Sequence, residues 1–408
     1  MQSRRTFLAG SLLAYTGTRP LRGAARSYAE IEKLLARDDI KGRLNKSELP
    51  TPALIVDLDA FEHNVARMAA HAKASGRSLR PHAKTHKCPE IAKILIKAGA
   101  VGACAAKISE AEALARDGVT GLLITTAVIG PHKIERAVRL TSRRPETILC
   151  VDNAQNVRDL NSAAGAARQK LNLAVDLWIS NRTGIRPGEP ALALAQLIDS
   201  LPHVKLAGIQ AYAGNASHTK GFEQRKKFSR EVMAQAVDTR SLFEKHGIEC
   251  PLLTGGSTGT YNIDSEIDGI TELQPGSFIF MDIDYNRIGG KDGDVYQDFR
   301  NSLFVTATVV SKPTDSSAIV DAGLKAFATD RGYGPSLHER EGISYAFAGD
   351  EHGRLSLADS ASSMNVGDRL DFVVPHCDPT VNLYDRIYGV RGGAVECAWR
   401  ISARGMSQ

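Results

Sequence analysis

Cysteine is scarce in this chain, and its few copies lie far apart. The six cysteines, at positions 88, 104, 150, 250, 377 and 397, form no Cys-x-x-Cys pair. This pattern indicates neither a zinc ribbon nor a disulfide-stapled scaffold. Cys104 and Cys150 lie within apolar runs, so we interpret them as small buried hydrophobic residues.

Beyond its first 26 residues the chain has no excess charge of either sign. The formal net charge is +5, and residues 1–26 contain five arginines without Asp or Glu, so the remaining residues sum to zero. Nucleic-acid binding therefore has no electrostatic support. With 408 residues, 43% of them hydrophobic, the chain is long enough for one large domain and a smaller one.

The sequence also lacks an apolar amino-terminal run long enough to span a membrane. The run from Leu8 to Tyr15 is short; it follows Arg4 and Arg5 and precedes small residues around Gly23. This arrangement resembles a twin-arginine export signal, which would make the mature protein periplasmic or otherwise exported. The alternative is an arginine-rich tail on a cytoplasmic protein. We predict a signal segment over residues 1–26.

From Pro50 onward, apolar runs alternate with segments of helical spacing. Repeated β/α units predict a parallel sheet, and eight strands predict a (β/α)8 barrel of the TIM type. Asp59, with Glu62 three residues later, is the predicted cap of the first helix. A ninth candidate strand covers 272–276. The eight predicted strands lie near 53–58, 80–84, 101–106, 121–126, 147–152, 173–179, 204–212 and 251–255.

Beyond about Tyr285 the helical pattern stops and strand-like segments separated by turns take over. Examples are Leu303–Val310 and Leu370–Pro375. We predict a second, mainly antiparallel β-domain. The predicted divisions are the signal segment at 1–26, a linker with a short helix at 27–49, the barrel at 50–288 and the β-domain at 289–408.

One basic segment, Arg80-Pro-His-Ala-Lys-Thr-His-Lys87, joins a predicted strand to a predicted helix. In β/α folds the carboxyl ends of strands carry the chemistry, which places Lys84 well for catalysis. Because neighbouring positive charges disfavour an ammonium, we expect more free amine at Lys84, and a free amine can form a Schiff base. The alternative is a solvated basic loop.

A second motif is a glycine-rich string that follows the predicted strand at 251–255. Glycines let backbone amides approach a phosphate closely, and hydroxyl groups add donors, so the string predicts a cup for one phosphate. The alternative is a flexible turn. The chain lacks the signature of a nucleotide-triphosphate loop in this string. The predicted phosphate-binding residues are Thr254, Gly255, Gly256, Ser257 and Thr258.

These motifs and those below resemble the D-threonine aldolase and D-serine dehydratase family over about residues 50–395. Its members are pyridoxal 5′-phosphate (PLP) enzymes of the alanine-racemase type, also called fold type III. The resemblance implies a barrel followed by a β-domain, with Lys84 as the cofactor lysine. It also implies a homodimer.

The strand end Trp178-Ile-Ser-Asn-Arg-Thr-Gly184 contains an arginine that the resemblance places beside PLP. By resemblance, Arg182 faces the pyridine nitrogen. An arginine does not readily give up its proton, so that nitrogen would stay largely unprotonated. The alternative for Arg182 is a surface loop residue. Asn181 stands where the family usually has glycine.

The segment Gly208-Ile-Gln-Ala-Tyr-Ala-Gly-Asn-Ala-Ser-His218 ends the next strand. The resemblance places Tyr212 near the cofactor and gives His218 the role of general base. A histidine titrates close to neutral pH, which suits proton transfer. The alternative for His218 is a solvated loop residue. Asn215 stands where relatives commonly have histidine.

The string Val-Val-Pro-His376-Cys-Asp378-Pro-Thr-Val-Asn resembles the metal motif of the family. If this segment is extended, His376 and Asp378 share one face while Cys377 points away. One imidazole with one carboxylate favours Mn²⁺ or Mg²⁺, with Zn²⁺ as the alternative. A polar strand end without metal is the other interpretation. His352 lies in a family-like string, but the sequence assigns it no role.

The resemblance implies a lyase that cleaves a D-β-hydroxy-α-amino acid of the D-threonine type to glycine and an aldehyde. Relatives with cysteine in place of Asp378 tend to be zinc-dependent dehydratases, so the aspartate favours the aldolase. The alternative enzyme is a D-serine or D-3-hydroxyaspartate dehydratase, which gives an oxo acid and ammonia. A non-catalytic PLP carrier is the alternative from another class of protein.

Overall fold

The computed structural model describes residues 26–37, 40–180, 182–358 and 363–408. Apart from residue 26, the predicted export signal lies outside this part of the chain. The described residues form two sheets with the following strands: β1 Leu44–Asn45, β2 Ala53–Asp57, β3 Ser78–Leu79, β4 Ala103–Ala105, β5 Leu122–Ile124, β6 Ile148–Val151, β7 Leu171–Asp176, β8 Val204–Ala211, β9 Leu252–Gly255, β10 Glu272–Leu273, β11 Leu303–Thr314, β12 Ser317–Val320, β13 Ser336–Leu337, β14 Ile343–Phe347, β15 Gly353–Leu357, β16 Arg369–Val373, β17 Arg386–Arg391 and β18 Ala394–Arg400.

Most of the helices lie between successive strands of the first sheet along the chain. They are α1 Tyr28–Ala36, α2 Leu58–Ser75, α3 Pro89–Lys97, α4 Ile108–Arg116, α5 Pro131–Thr141, α6 Ala154–Ala166, α7 Glu189–Ser200, α8 Gly214–Ser217, α9 Phe222–Lys245, α10 Tyr261–Asp264, α11 Ile283–Asn286 and α12 Cys377–Val381, with 3₁₀ turns at Lys46–Glu48, Ala83–Thr85 and Ser277–Ile279. Among the described residues, no helix has the length and apolar character that crossing a membrane requires.

The first sheet is a barrel of eight parallel strands. Its strand order is β3-β10-β9-β8-β7-β6-β5-β4. A parallel bridge between His82 and Cys104 joins its two ends, and Cys104 N donates to Pro81 O at 2.9 Å. The predicted TIM-type barrel is therefore confirmed, and its closure lies beside the predicted cofactor lysine.

Two of the predicted barrel strands differ in the structure. The strand predicted near 80–84 is instead β3, which lies just before it, and part of that run forms the 3₁₀ turn Ala83–Thr85. The run at 53–58 forms β2, which pairs with β11 and β17 in the second sheet. The eighth barrel strand is instead β10, within the ninth candidate run. The predicted cap of α2 is also wrong: Asp57, rather than Asp59, accepts a hydrogen bond from Ala60 N at 2.8 Å.

The second sheet is mainly antiparallel and follows the barrel, as predicted from the spacing. Its main path is β1-β18-β17-β2-β11-β12-β15-β14, with β16 beside β11 and β13 beside β16. The amino-terminal segment predicted as a linker contributes β1, which pairs with β18. Ile31, Ile40 and Leu44 are buried in the same core as Val395. This segment therefore packs with the second sheet.

Candidate active site

Lys84 lies in the 3₁₀ turn Ala83–Thr85, in the segment that leads from the carboxyl end of β3 to α3. The imidazole of His82 accepts a hydrogen bond from the Lys84 amide at 3.3 Å, and His86 accepts one from Cys88 N at 3.0 Å. These bonds fix the backbone around the lysine. The Lys84 side chain is 41% exposed, and its Nζ lies 3.4 Å from Asp378 Oδ2.

The basic residues that flank Lys84 in sequence are neutralised by carboxylates. Arg80 Nη2 lies 2.9 Å from Glu272 Oε2, inside the barrel. Lys87 Nζ lies 2.8 Å from Glu110 Oε1 on α4. Contrary to the expectation from the sequence, their charges therefore do not act on Lys84 as isolated like charges.

The two histidines beside Lys84 are neutral near pH 7. Burial lowers the pKa of His82 well below its ordinary value, and burial lowers the pKa of His86 to about 3. The carboxylate of Asp378 raises the pKa of Lys84 above its ordinary value. The expectation of a free amine produced by like charge is therefore wrong: Lys84 is an ammonium paired with a carboxylate.

The predicted metal motif is a helix start, so the expected extended geometry is wrong. His376 precedes α12, and Cys377 and Asp378 lie in its first turn. The fully buried Asp282 accepts a hydrogen bond from Cys377 N at 2.8 Å, which fixes the start of the helix. The Cys377 thiol does not point away from the site, because its Sγ lies 3.4 Å from Asp378 Oδ1.

Three carboxylates and one imidazole form what we call the carboxylate wall: Asp284, Asp330, Asp378 and His376. His376 Nδ1 lies 2.8 Å from Asp330 Oδ2. Burial tends to raise the pKa of Asp378. Lys84 and, to a smaller extent, His376 stabilise the charged form more strongly and lower this pKa to about 2. The wall is therefore anionic at neutral pH and faces the lysine.

His218 follows α8, after the end of β8, and is held at this wall. Its Nδ1 lies 2.9 Å from Asp284 Oδ2, and its ring lies 4.9 Å from the ring of Tyr285. Arg331 Nη2 lies 2.9 Å from the same Asp284 oxygen. Burial tends to raise the pKa of Asp284, but the close contact with His218 and the charge of Arg331 lower it below its ordinary value. An ionised Asp284 orients the imidazole.

Arg182 and Tyr212 come together from neighbouring strand ends. The Arg182 guanidinium lies 5.4 Å from the centre of the Tyr212 ring, and its Nη2 lies 3.8 Å from Asp176 Oδ2. Ser180 Oγ donates to Tyr212 O at 3.0 Å, which ties the two loops. Burial raises the pKa of Asp176 to about 6. Asn181, which departs from the family pattern, lies outside the described residues.

The glycine-rich string forms a closed turn after β9, and we call residues 255–259 the glycine cup. A side chain at Gly255 would place Cβ 2.0 Å from Ala211 O, and Gly256 has a φ of +74°, so both positions require glycine. Within the described chain, the amides of Gly256 and Thr258 find no acceptor. Phe278 N donates to Thr258 Oγ1, which leaves that hydroxyl proton free. This donor set fits a phosphate.

Thr254 was predicted as part of the cup, but its hydroxyl serves the barrel interior. It donates to Glu272 Oε1 at 2.8 Å and accepts from Gln274 Nε2 at 2.9 Å. Ser257 Oγ lies 2.9 Å from Thr260 Oγ1. The hydroxyls nearest the strand therefore stabilise the cup from beneath.

Arg225 on α9 was not identified from the sequence. It is fully buried, and among the described residues no carboxylate forms an ion pair with it. Its guanidinium donates to Gly259 O at 2.8 Å, and further carbonyls accept from it at 2.8 to 3.0 Å, namely those of Thr219, Ile288 and Gly289. Arg225 thus joins the glycine cup to the loop after His218.

No described group of three or more His, Cys, Asp or Glu residues is arranged to hold a metal ion. His376 and Asp378 offer one nitrogen and one carboxylate, and they fit a cation only if water or substrate completes its shell. Three polar atoms at the wall are buried in contacts whose angles are poor for a hydrogen bond: His218 Nδ1 and Asp284 Oδ2 lie 2.9 Å from each other, and Arg331 Nε lies 3.5 Å from Asp330 Oδ2. Such atoms commonly mark a place for water, ion or ligand.

Four residues of the site were not identified from the sequence: Asp282, Asp284, Asp330 and Arg331. The first two lie in Met-Asp-Ile-Asp-Tyr, where Asp282 caps α11 by accepting from Tyr285 N at 2.9 Å. An aspartate that precedes a short helix is a recognisable cap signal. Asp330 and Arg331 lie in an irregular loop and carry no comparable signal.

A parallel barrel with a lysine at one strand end, a glycine cup at another and a β-domain wall defines an alanine-racemase-type architecture. The model of the family described as "Alanine racemase, N-terminal domain" matches residues 56–284. The model of the "Putative serine dehydratase domain" matches residues 302–390. The chain belongs to the alanine racemase N-terminal domain family.

Individual relatives place the chain more narrowly within this family. The chain is 38% identical to a 3-hydroxy-D-aspartate aldolase of Paracoccus denitrificans and 39% identical to a D-threonine aldolase of Arthrobacter sp, in each case over 89% of this chain and 94% of the relative. It is 30% identical to a D-threo-3-hydroxyaspartate dehydratase of Delftia sp., over 79% of this chain and 87% of the relative. The crystal structure of D-threonine aldolase from Filomicrobium marinum superposes with a TM-score of 0.85 at 38% identity, over 90% and 99% of the two chains.

Proposed function

We propose that this protein is a PLP- and divalent-metal-dependent lyase that splits the Cα–Cβ bond of a D-β-hydroxy-α-amino acid into glycine and an aldehyde. The observation that carries the proposal is the meeting of two domains at one lysine, since Lys84 Nζ lies 3.4 Å from Asp378 Oδ2. Relatives named as aldolases share 38% and 39% of the sequence. The preference for the D configuration comes from these relatives.

The residues of the barrel fit PLP. Lys84 would hold the aldehyde carbon of the cofactor, the glycine cup would hold its phosphate and Arg182 would face its ring. Bound PLP supplies an electron sink for the carbanion left when the Cα–Cβ bond breaks. A Lys84 that held the cofactor would no longer neutralise Asp378, and that carboxylate could then bind a cation.

His376 and Asp378 would hold the metal, with Mn²⁺ or Mg²⁺ favoured over Zn²⁺ because a carboxylate and an imidazole contribute no thiolate. A divalent cation makes a bound hydroxyl group more acidic. His376 Nδ1 faces Asp330, which leaves its Nε2 to bind a metal. His218, oriented by Asp284, would take the proton from the β-hydroxyl group of the substrate.

Product analysis separates the aldolase from its alternatives. Purified enzyme with PLP and Mn²⁺ should convert D-threonine to glycine and acetaldehyde in equal amounts. Formation of an oxo acid and ammonia from D-serine or D-3-hydroxyaspartate, without glycine, would identify a dehydratase. Absence of turnover on all of these substrates, with PLP bound, would identify a carrier.

Two further properties belong to this proposal. The family resemblance supports a homodimer, which light scattering on the eluting holoenzyme should report as twice the chain mass. Arg4 and Arg5, with the apolar run after them, support export by the twin-arginine route, so the native host should contain a periplasmic form that lacks residues 1 to about 25. An intact amino terminus in the cytoplasm of that host would refute export.

A further inference from the structure

Lys87, which follows the candidate cofactor lysine between the 3₁₀ turn Ala83–Thr85 and α3, has a strained backbone. Its φ is +50°, in the left-handed region that residues other than glycine rarely adopt. Such a conformation persists only where the surrounding contacts fix it, and residues of this kind are concentrated at functional sites. The contacts of Lys87 therefore bear on how Lys84 is held.

Three contacts hold Lys87, and each joins it to a different part of the molecule. Its amide donates to Ala83 O at 2.7 Å, which closes the backbone turn around Lys84. Its carbonyl accepts a hydrogen bond from Ala403 N at 3.0 Å. Its Nζ lies 2.8 Å from Glu110 Oε1, and the two side chains are only 11% and 5% exposed. Both the main chain and the side chain of Lys87 are therefore fixed.

Glu110 is itself held at the start of α4. Its Oε2 accepts hydrogen bonds from Ala106 N at 2.7 Å and from Lys107 N at 3.3 Å. These amides directly follow β4, which adjoins the Lys84 segment where the barrel closes. A buried carboxylate without its cation is strongly destabilising, so Glu110 keeps the ammonium of Lys87 in place.

The amide that bonds to the Lys87 carbonyl belongs to residues 401–408, which follow β18 and which we call the strap. Gly405 N donates to Asn382 Oδ1 at 3.0 Å, and Asn382 is the residue that ends α12. The first turn of the same helix contains Asp378. The strap therefore connects the Lys84 turn to the helix of the predicted metal motif.

Further along the chain, the strap reaches α4. Ser109, a buried residue in the first turn of that helix, donates from Oγ to Gln408 O at 2.9 Å and accepts from Gln408 N at 3.1 Å. The helix α4 also carries Glu110. The ion pair of Lys87 and the hydrogen bonds of the strap thus tie the same turn to the same two helices.

This bracing matters because a reacting amine must approach its target from a fixed position. Under the proposed function, Lys84 Nζ loses a proton and bonds to the aldehyde carbon of PLP, whose oxygen leaves as water. The Lys84 side chain is 41% exposed, so the backbone turn from which it projects determines much of its direction. A displacement of about 1 Å at a reacting group can slow a reaction by about 10²-fold.

We propose that Lys87 is a positioning residue for Lys84, and that Glu110 and the strap are the two supports that keep its backbone in the left-handed conformation. This inference rests on the proposed function, because it takes Lys84 as the cofactor lysine. Loss of the Lys87 ammonium should slow the covalent capture of PLP and leave the binding of its phosphate at the glycine cup intact.

The first arm of the test measures how fast apoenzyme captures PLP, as cofactor that borohydride fixes to the Lys84 peptide. Lys87→Met keeps the aliphatic chain but removes the cation, and it should slow capture by roughly 10- to 100-fold. Lys87→Arg, which restores a cation, should recover most of the rate. The matched control Lys93→Met, at an exposed position of α3, should capture PLP as the wild type does.

The second arm separates positioning from general damage. Pyridoxine 5′-phosphate carries the ring and phosphate of PLP without an aldehyde, so it can occupy the glycine cup but cannot react with Lys84. Its Kd should be the same in Lys87→Met and wild type. If Lys87→Met does not fold, the double variant with Glu110→Gln removes both charges together and should show the same slow capture. A wild-type capture rate in a folded variant, or weaker binding of pyridoxine 5′-phosphate, would overturn the inference.

The strap is tested at Ser109. Ser109→Ala removes the hydroxyl that bonds to Gln408, so amide hydrogen exchange in residues 401–408 should be faster and capture should slow by roughly two- to tenfold, as expected for one neutral hydrogen bond. Ser200→Ala, whose exposed hydroxyl bonds within α7, is the control. Unchanged exchange, or faster exchange with a wild-type capture rate, would overturn the role of the strap.

Capture requires no substrate, so this inference and the lyase proposal can fail separately. If Lys87→Met slows capture but the wild type forms no glycine from any D-β-hydroxy-α-amino acid, the lyase proposal fails while the role of Lys87 stands. If the wild type forms glycine from D-threonine and Lys87→Met captures PLP at the wild-type rate, the role of Lys87 fails while the lyase stands.

Discussion

The glycine cup and the carboxylate wall lie at the two sides of one site, and they differ in how complete they are. In the cup, the described side chains leave no buried polar atom without a partner, and the amides of Gly256 and Thr258 remain as donors without an acceptor. At the wall, His218, Asp284 and Arg331 each have a buried atom that lacks an aligned partner. The cup is therefore preformed for a phosphate, whereas the wall requires a cation, water or substrate to complete it.

Charge differs in the same way between the two sides. The buried guanidinium of Arg225 brings a positive charge to the cup, because it donates a hydrogen bond to Gly259 O at 2.8 Å. The wall concentrates carboxylates, and Lys84 neutralises only Asp378. An anion on one side and a cation on the other would complete both sides. Under the proposed function, PLP and the metal should therefore be separable, and the phosphate side should retain PLP when the metal is removed.

The largest expected effect is at the lysine between the two sides. Lys84→Ala should abolish turnover, because its Nζ is the group that would hold the cofactor. In the wild type, borohydride should fix the cofactor to a peptide that contains Lys84. The control Lys97→Ala, on the exposed end of α3, should behave as wild type. Mass spectrometry that maps the fixed cofactor to another lysine would reject the site.

A smaller but still large effect is expected from a substitution that changes the wall and leaves the cup intact. Asp378→Asn should lower aldehyde release by at least ~10²-fold, typical of a positioned catalytic group, and should weaken Mn²⁺ binding measured by electron paramagnetic resonance. PLP absorbance should remain, because the cup is untouched. Cys377→Ala is the matched neighbour, with a smaller loss expected because its Sγ contacts Asp378 Oδ1 at 3.4 Å.

If chelation removed PLP together with the metal, the two sides would not be separable. A dehydratase would give a different pattern, with Cys377→Ala inactive, Zn²⁺ restoring activity and pyruvate formed from D-serine. Either result would contradict the description of the cup as preformed and of the wall as incomplete.

A change beneath the cup should affect cofactor affinity before chemistry. Arg225→Met keeps an apolar chain but removes the donors to four carbonyls and the buried charge near the phosphate site. The Kd of PLP for the apoenzyme should rise by at least about tenfold, since bonds to a charged group each contribute ~1.5–3 kcal/mol. Arg230→Met, on an exposed turn of the same helix, is the control. Unchanged PLP affinity would show that the cup binds the cofactor without the hydrogen bonds of Arg225.

Much of the cup could be predicted from sequence, because its signals are local. The backbone itself requires glycine at positions 255 and 256, and the alternation of apolar runs with helical segments predicts the barrel. The strand β2 shows where local signals fail: four of its five residues are buried. A run buried on both faces looks the same in a barrel and in the centre of another sheet.

The wall depended on contacts that no spacing reveals. Asp330 and His376 are separated by 46 residues, yet their side chains meet at 2.8 Å. Asp282 joins the end of the barrel to α12 across 95 residues. The charge state of Lys84 was likewise set by Asp378 from the second domain rather than by its sequence neighbours. Pairings of this kind arise from the tertiary fold alone.

The smallest expected effect concerns the carboxyl group beneath the cup. Asp264 accepts hydrogen bonds from Ser229 Oγ at 2.6 Å and Thr260 Oγ1 at 2.5 Å, and burial raises its pKa from 3.8 to about 6. Between about pH 4 and pH 6 the unfolded chain has released this proton while the folded chain retains it. The group therefore contributes stability at low pH that is lost as the pH rises through 6.

Asp264→Asn has no proton to lose, so it should escape this loss. The melting temperature of the variant relative to wild type should be higher at pH 7.5 than at pH 4.5, by on the order of a few degrees. Ser229→Ala, which removes one donor but retains the carboxyl group, should keep the pH dependence of the wild type. A constant difference between Asp264→Asn and wild type across this range would mean that Asp264 is already ionised in the fold. The floor of the cup would then be anionic, and the phosphate would depend more strongly on Arg225.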